Sequence, residues 1–94
     1  MDRASYIRKL HFRAHHRGTR EADAIVGGFF DNYHAVWSDA DFAWFEALLE
    51  EQDVDIMGWA MRTLPVPAKW EGPMLDLLMR LDYISLPAGL TKAD

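Results

Sequence analysis

The chain has 94 residues, of which 50% are hydrophobic and 27% are charged, and it contains no cysteine. A chain of this length can fill only one hydrophobic core, and its composition is that of a folded globular protein rather than of a disordered segment. The lack of cysteine excludes disulfides, thiolate catalysis and thiolate metal ligands, and no apolar run approaches the ~18 residues needed to cross a membrane.

The charges are unevenly distributed along the chain. Residues 1–20 carry six Lys or Arg against one Asp, a net charge of +5, whereas residues 21–94 carry four Lys or Arg against fourteen Asp or Glu, a net charge of −10. A basic arm on an acidic body predicts a partner with a defined electrostatic footprint. A basic start is also typical of mitochondrial transit peptides, but cleavage near residues 17–21 would destroy the first helix. We therefore expect a bacterial cytoplasmic protein without a targeting segment.

The first two predicted helices cover residues 3–16 and 19–34. Gly18 is expected to end the first helix, because glycine accepts the left-handed conformation that is common just after a helix. Two glycines inside the second helix, Gly27 and Gly28, each cost about 1 kcal/mol relative to alanine, so we expect a neighbouring helix to approach them closely. The second helix has a continuous apolar stripe at helical spacing: Ala22, Ile25, Val26, Phe29, Phe30 and Tyr33.

The third and fourth predicted helices have clear start signals. Ser38 and Asp41 form a short-armed capping box at the start of the third helix, which continues to about Glu51. Asp53 is predicted to cap the fourth helix, which ends near Thr63, ahead of a proline-containing linker. We interpret the acidic residues of this region as a solvated face, since a five-helix bundle of this size rarely has the cleft that a catalytic carboxylate pair needs: Glu46, Glu50, Glu51, Asp53 and Asp55.

A fifth helix is predicted to begin near Gly72-Pro73, since proline is acceptable in the first turn of a helix. Trp70, just before it, is the tryptophan that we expect to be partly exposed. Residues 85–94 show no pattern and are expected to be flexible. The sequence thus predicts an all-α protein, a small single-domain bundle of five short helices over residues 1–94 with its core in about 4–84. Each helix is too short to be stable alone in water, so mutual burial of the apolar stripes must stabilise the bundle.

A conspicuous motif, Arg17-Gly18-x-x-Glu21, lies between the first two predicted helices. Helix capping and helix-dipole effects could explain each residue of the motif separately. They do not explain why so many basic residues surround it, because like charges repel each other unless something acidic binds. These neighbouring residues are Arg13, His15, His16 and Arg20.

The motif resembles the signature of the small succinate dehydrogenase assembly factors, also called flavinylation factors. The resemblance covers about residues 4–82 and includes the order of the flanking features as well as the motif itself. These features are Phe12-Arg13-Ala14 before the motif, Asp23 after it, Phe29-Phe30, and Asp53-Val54-Asp55-Ile56 leading to Trp59.

This resemblance implies an assembly factor that binds the flavoprotein subunit of succinate dehydrogenase, with fumarate reductase as a further candidate client. It implies that the factor promotes covalent attachment of FAD to a histidine of that subunit, while the client carries out the bond formation. We therefore expect no enzymatic activity and no cofactor held stably by this chain; FAD belongs to the client. We also expect a monomer that neither binds nucleic acid nor inserts into a membrane. The resemblance assigns the core of the interface to Arg17, Gly18 and Glu21, and charge and position add Arg13, His16 and Arg20.

Other classes of function remain open at the level of sequence. The basic first helix could belong to a nucleic-acid-binding module, although the acidic body would repel phosphates. It could also attach to a membrane surface as a basic amphipathic helix, although its narrow apolar face is needed by the bundle. Some members of the family that it resembles are described as antitoxins, and no residue separates that role from assembly.

A metal site is a further candidate, because His11 and His15 lie four residues apart and share a helix face, a spacing seen in zinc sites. Zinc needs at least a third protein ligand, and the chain contains no cysteine to supply one. The nearby arginines would also repel a divalent cation. We therefore expect no metal site.

Overall fold

The computed structural model describes residues 2–84. This part of the chain contains five α-helices joined by short connections. They are α1 (Arg3–His15), α2 (Arg20–Tyr33), α3 (Asp39–Leu48), α4 (Asp53–Ala60) and α5 (Pro73–Arg80), with 3-10 turns at His34–Val36 and Ala68–Trp70. Residues 2–84 contain no strand, so the predicted all-α bundle of five short helices is confirmed. None of the helices in this range is long and apolar enough to cross a bilayer. The expectation of a flexible tail over residues 85–94 lies outside the described residues.

Polar side chains cap the first three helices and fix where they begin. Asp2 accepts a hydrogen bond from the backbone N–H of Ser5 at the start of α1 (2.8 Å), which lowers the pKa of Asp2. Thr19 caps α2 in the same way, although the sequence analysis did not single it out. Ser38 and Asp41 make both hydrogen bonds of a capping box at α3, as predicted.

The predicted boundaries of α4 need correction. Gln52, not Asp53, is the residue that precedes α4, and its side chain makes no capping hydrogen bond. Asp53 is the first residue of the helix, and its carboxylate binds an arginine instead of the helix start. The helix ends at Ala60, ahead of the predicted Thr63, because Arg62 has a left-handed φ of 62° that the helix cannot continue through. The third helix also ends early, at Leu48 instead of Glu51.

The core is built around α2, whose phenylalanines are fully buried. The ring of Phe29 lies 5.5 Å from the rings of Trp37 and Tyr83 and 6.1 Å from that of Phe45, measured between ring centroids. The expectation that Trp70 is partly exposed is wrong, because only 5% of this residue is exposed. Its ring packs between Trp44 and Trp59, at 5.5 and 5.8 Å between centroids, so that the 3-10 turn closes one end of the core.

The paired glycines of α2 are sites of close approach, as predicted. A Cβ at Gly27 would lie 2.5 Å from the imidazole of His15 on α1, and a Cβ at Gly28 would lie 2.9 Å from the carbonyl oxygen of Tyr83. Neither position has room for a side chain without displacing a neighbour. The glycines therefore let α1 and the segment after α5 lie directly against the backbone of α2.

Gly27→Ala should destabilise the protein, because the added methyl overlaps the His15 ring and overpacking costs about 1–3 kcal/mol. The gain of about 1 kcal/mol in helix propensity offsets part of that cost, so we expect a net loss on the order of 1 kcal/mol in urea unfolding. The matched control introduces Gly27→Ala into a His15→Ala background, where the clash is absent and the same substitution should be stabilising. Equal effects in the two backgrounds would contradict the packing explanation.

Candidate functional site

The Arg-Gly-x-x-Glu motif spans the turn between α1 and α2 and the first two residues of α2. Gly18 has a φ of +130°, a conformation that side chains with a Cβ rarely adopt. As the sequence analysis expected, glycine allows the chain to leave α1 and reverse into α2. Residues 18–21 are exposed, so the turn is displayed on the surface.

Arg17 points into the protein, in contrast to the rest of the motif. Only 11% of its side chain is exposed. Its Nε donates a hydrogen bond to Oδ1 of Asp53 (2.8 Å), and its two Nη atoms donate to the backbone carbonyls of Leu49 and Glu51 (2.8 Å each). Its backbone N–H donates to Oδ1 of Asp23 (2.6 Å). Arg17 therefore fastens the turn to the connection between α3 and α4.

The exposed part of the site is smaller than the set predicted from the sequence. Gly18, Arg20 and Glu21 lie on the surface of the turn, together with His16. The imidazole of His16 stacks on Phe12 at 4.0 Å between ring centroids, and 60% of Phe12 is exposed. His16 was predicted as part of the site, but Phe12 was not, although Phe12 belongs to the segment that carries the family resemblance.

Arg13 lies apart from this exposed group. Its guanidinium forms an ion pair with Glu50 on the connection between α3 and α4. Arg13 and Arg17 thus both bind carboxylates in the segment from Glu50 to Asp53. The other predicted site residues are exposed to solvent: His16, Gly18, Arg20 and Glu21.

Acidic residues of the same chain neutralise much of the basic arm. Besides Arg13 and Arg17, Arg3 pairs with Asp39 at 3.6 Å. Carboxylates of the same chain therefore relieve part of the expected repulsion among the basic residues, and an acidic partner is not needed to explain their crowding. The interpretation of Asp53 as part of a solvated face is wrong for the same reason, since its carboxylate is only 24% exposed and binds Arg17.

A tyrosine hydroxyl links the N-terminal half of α1 to α3. Tyr6 donates a hydrogen bond from its hydroxyl to Oε1 of Glu46 (2.8 Å). Burial, and then this hydrogen bond, raise the pKa of the tyrosine hydroxyl. The hydroxyl thus stays protonated and keeps donating at neutral pH.

An apolar groove of about 500 Å³ lies beside the turn, between Thr19 and α4. Its exposed hydrophobic residues are Val54 (65%), Met61 (45%) and Leu64 (39%). The groove and the turn share an edge at Thr19 and Asp53. The sequence did not reveal the groove. Most positions of α4 are apolar, so the sequence pattern does not show which side of this helix is exposed.

The fold and the site define a small helical protein whose candidate functional surface is a displayed turn with an adjoining apolar groove, not an enclosed cavity. The sequence model of the family described as flavinator of succinate dehydrogenase matches residues 8–82 of the chain. The chain belongs to this family, and the resemblance drawn from the motif is confirmed.

Individual relatives agree with the family match. An FAD assembly factor from Acetobacter pasteurianus is 37% identical over 72 residues, which cover 77% of this chain and 66% of the relative. Mitochondrial succinate dehydrogenase assembly factors 2 from Mycosarcoma maydis and Saccharomyces cerevisiae are 34% and 31% identical, over 72% and 71% of this chain. The aligned regions span 29% and 43% of these two relatives, so the chain matches less than two thirds of the length of all three.

Proposed function

We propose that this protein is an assembly factor that binds the flavoprotein subunit of succinate dehydrogenase and promotes covalent attachment of FAD to it. The observation that carries the proposal is the family match over residues 8–82, which includes the whole Arg17–Glu21 motif. The names of the relatives, FAD assembly factor and succinate dehydrogenase assembly factor, support the same function.

The surface that would meet the client is the exposed turn, Gly18 to Glu21, with His16 and Phe12 on one side and the apolar groove on the other. Gly18 has no side chain and lets the client's backbone approach closely. Glu21 and Arg20 offer charges of opposite sign for polar contacts. The groove accepts apolar side chains of the client, whose burial contributes about 25 cal/mol per Å² of apolar surface.

Arg17 and Arg13 take a different role in this proposal from the one expected from the sequence. Both are positioning residues, since their guanidinium groups bind acidic side chains of the same chain. Arg17 holds the turn in one conformation before the client binds. Such preorganisation favours binding because less conformational freedom is lost on association.

The proposed mechanism requires no catalytic residue of this chain. Holding two reacting groups in a near-attack geometry can contribute several kcal/mol to a reaction. The protein would stabilise the client in the conformation that aligns its histidine with the flavin, and the client would supply the bond-forming chemistry. FAD would belong to the client, without a stable site on this chain.

We extend the proposal to three finer points. The protein acts as a monomer, it works in the bacterial cytoplasm, and fumarate reductase is a second client. The bacterial relative supports the setting. A nucleic-acid-binding role is not favoured, because three arginines of the basic arm are paired with carboxylates of this chain.

Gly18→Arg and Glu21→Ala should each reduce covalent flavin on the flavoprotein subunit. The arginine side chain would obstruct the client's approach, and the alanine removes an exposed carboxylate with little cost to the fold. The measurement is in-gel flavin fluorescence of the subunit, in cells that lack this protein and are complemented with each variant.

Two control variants separate loss of the surface from loss of the fold. Any side chain at φ +130° is strained by about 1–3 kcal/mol. Gly72→Arg applies a similar strain at the start of α5, where the glycine has a φ of +145° and an added Cβ would meet no other atom within 4 Å. Glu71→Ala is the control for Glu21→Ala, since Glu71 is also exposed. Both controls should support normal flavinylation. Full covalent flavin with Gly18→Arg and Glu21→Ala at equal expression would place the functional surface elsewhere, and full covalent flavin in the deletion strain would refute the proposed function.

A further inference from the structure

Three potential metal ligands converge on the face where α1 packs against α2. His11 and His15 come from successive turns of α1, and Asp31 comes from α2. One nitrogen or oxygen atom from each side chain lies within 4.8 Å of the other two. Nε2 of His15 lies 3.0 Å from Oδ2 of Asp31, and Nε2 of His11 lies 3.5 Å from Oδ1 of the same carboxylate.

The structure removes both reasons for which the sequence analysis excluded a metal. Asp31 supplies the third ligand, which is not recognisable in the sequence because it lies 16 residues from His15. The arginines of α1 are directed elsewhere: Arg8 donates to the hydroxyl of Ser5, and Arg13 pairs with Glu50. Arg17, beyond the helix, binds Asp53. The electrostatic objection therefore does not apply to this face of α1.

We propose that His11, His15 and Asp31 bind a divalent transition-metal cation of the zinc class. Two imidazole nitrogens and one carboxylate oxygen form a common zinc ligand set, and three protein ligands leave a fourth position open for water. Ligand atoms at about 2.0–2.1 Å from a tetrahedral zinc ion lie roughly 3.3 Å apart. Nε2 of His15 lies 3.0 Å from Oδ2 of Asp31, close to that value, and Nε2 of His11 lies 3.5 Å from the other carboxylate oxygen, Oδ1. One ligand atom from each of the three side chains already lies within 4.8 Å of the other two, so small side-chain rotations would bring the three to the spacing that zinc needs.

The surroundings of the three ligands fit such a site. The imidazole of His15 is fixed in place by its packing over Gly27, and the ring of His11 lies 4.3 Å from it between centroids. The side chains of His11 and Asp31 are 55% and 45% exposed, so a hydrated cation can reach them. A cleft of about 340 Å³ borders His15 and Asp31 and leaves room for water at the fourth position.

A cation held by these ligands would bridge α1 and α2, the two helices that flank the Gly18 turn. It would hold α1 and α2 together, whereas Arg17 holds the turn to the connection between α3 and α4. The ion would cross-link the two helices, and its binding can be tested without the client.

The test is isothermal titration of the full-length protein with zinc chloride, compared with two ligand variants, His11→Gln and Asp31→Asn. The wild-type protein should bind one zinc ion per chain, and zinc should raise its Tm, since a ligand that binds only the folded state stabilises it. Each ligand variant should bind at least about tenfold more weakly, because even the loss of groups that only orient metal ligands costs that much. His34→Gln is the matched control, since its ring binds the carbonyl of Phe30, and it should bind zinc like the wild type.

The titrations can either support or overturn the proposed metal site. Single-site binding that is lost in both ligand variants and kept in His34→Gln supports the site. The proposal is overturned if the wild type shows no saturable binding, or if either His11→Gln or Asp31→Asn binds zinc as the wild type does. Circular dichroism of each variant verifies that a loss of binding does not reflect unfolding.

Discussion

Phe29→Ala should lower the free energy of unfolding by about 3–5 kcal/mol, the range for removing a fully buried aromatic ring. None of Phe29 is exposed, and its ring contacts the rings of Tyr33, Trp37, Phe45 and Tyr83. The surrounding core can relax only partially into the space that the ring leaves. The cost of the cavity is therefore added to the lost transfer free energy.

Urea unfolding followed by tryptophan fluorescence measures this loss. Phe12→Ala is the control, because it deletes the same ring at a position that is 60% exposed. A surface substitution of this kind should change the free energy of unfolding by about 0.5 kcal/mol or less. A loss below ~1 kcal/mol for Phe29→Ala would show that α2 does not occupy the centre of the core.

Arg17→Ala should destabilise the protein by about 3 kcal/mol, the lower end of the range for breaking a buried ion pair. The substitution leaves the carboxylate of Asp53 and the carbonyls of Leu49 and Glu51 without their donor. We take the lower end because the Asp53 carboxylate, 24% exposed, can still reach water. Arg13→Ala should cost much less, since its partner Glu50 is 69% exposed and exposed ion pairs contribute about 0–1 kcal/mol.

Double-mutant cycles with Asp53→Ala and Glu50→Ala give the coupling energies of the two arginines by urea unfolding. The coupling of Arg17 with Asp53 should exceed that of Arg13 with Glu50. A fully stable Arg17→Ala protein that fails only in flavinylation would instead mean that Arg17 contacts the client directly.

Features that depend on a few neighbouring residues could be predicted from the sequence. The stripe of α2, the capping box of Ser38 and Asp41 and the glycine after α1 each result from interactions over three or four positions. The need for close packing at Gly27 and Gly28 could be predicted as well, because mid-helix glycines are costly without it. The identity of the neighbour, a histidine ring, could not.

Features that join distant parts of the chain could not be predicted. The family resemblance placed Arg17 on the interface, and the sequence could not reveal its partner Asp53, which lies 36 residues away. The burial of Trp70 depends on Trp44 and Trp59, which are brought together only by the tertiary fold. The sequence therefore predicted that the motif lies in a turn between two helices but could not divide its residues between the surface and the interior.

The contact between His15 and Gly27 also constrains how this sequence can evolve. The imidazole fills the volume that a side chain at position 27 would need. A larger residue at position 27 is better tolerated once a smaller residue has replaced His15, because the reverse order passes through an overpacked intermediate. Substitutions at the two positions should therefore be correlated among descendants of this protein, with the change at position 15 preceding the change at position 27.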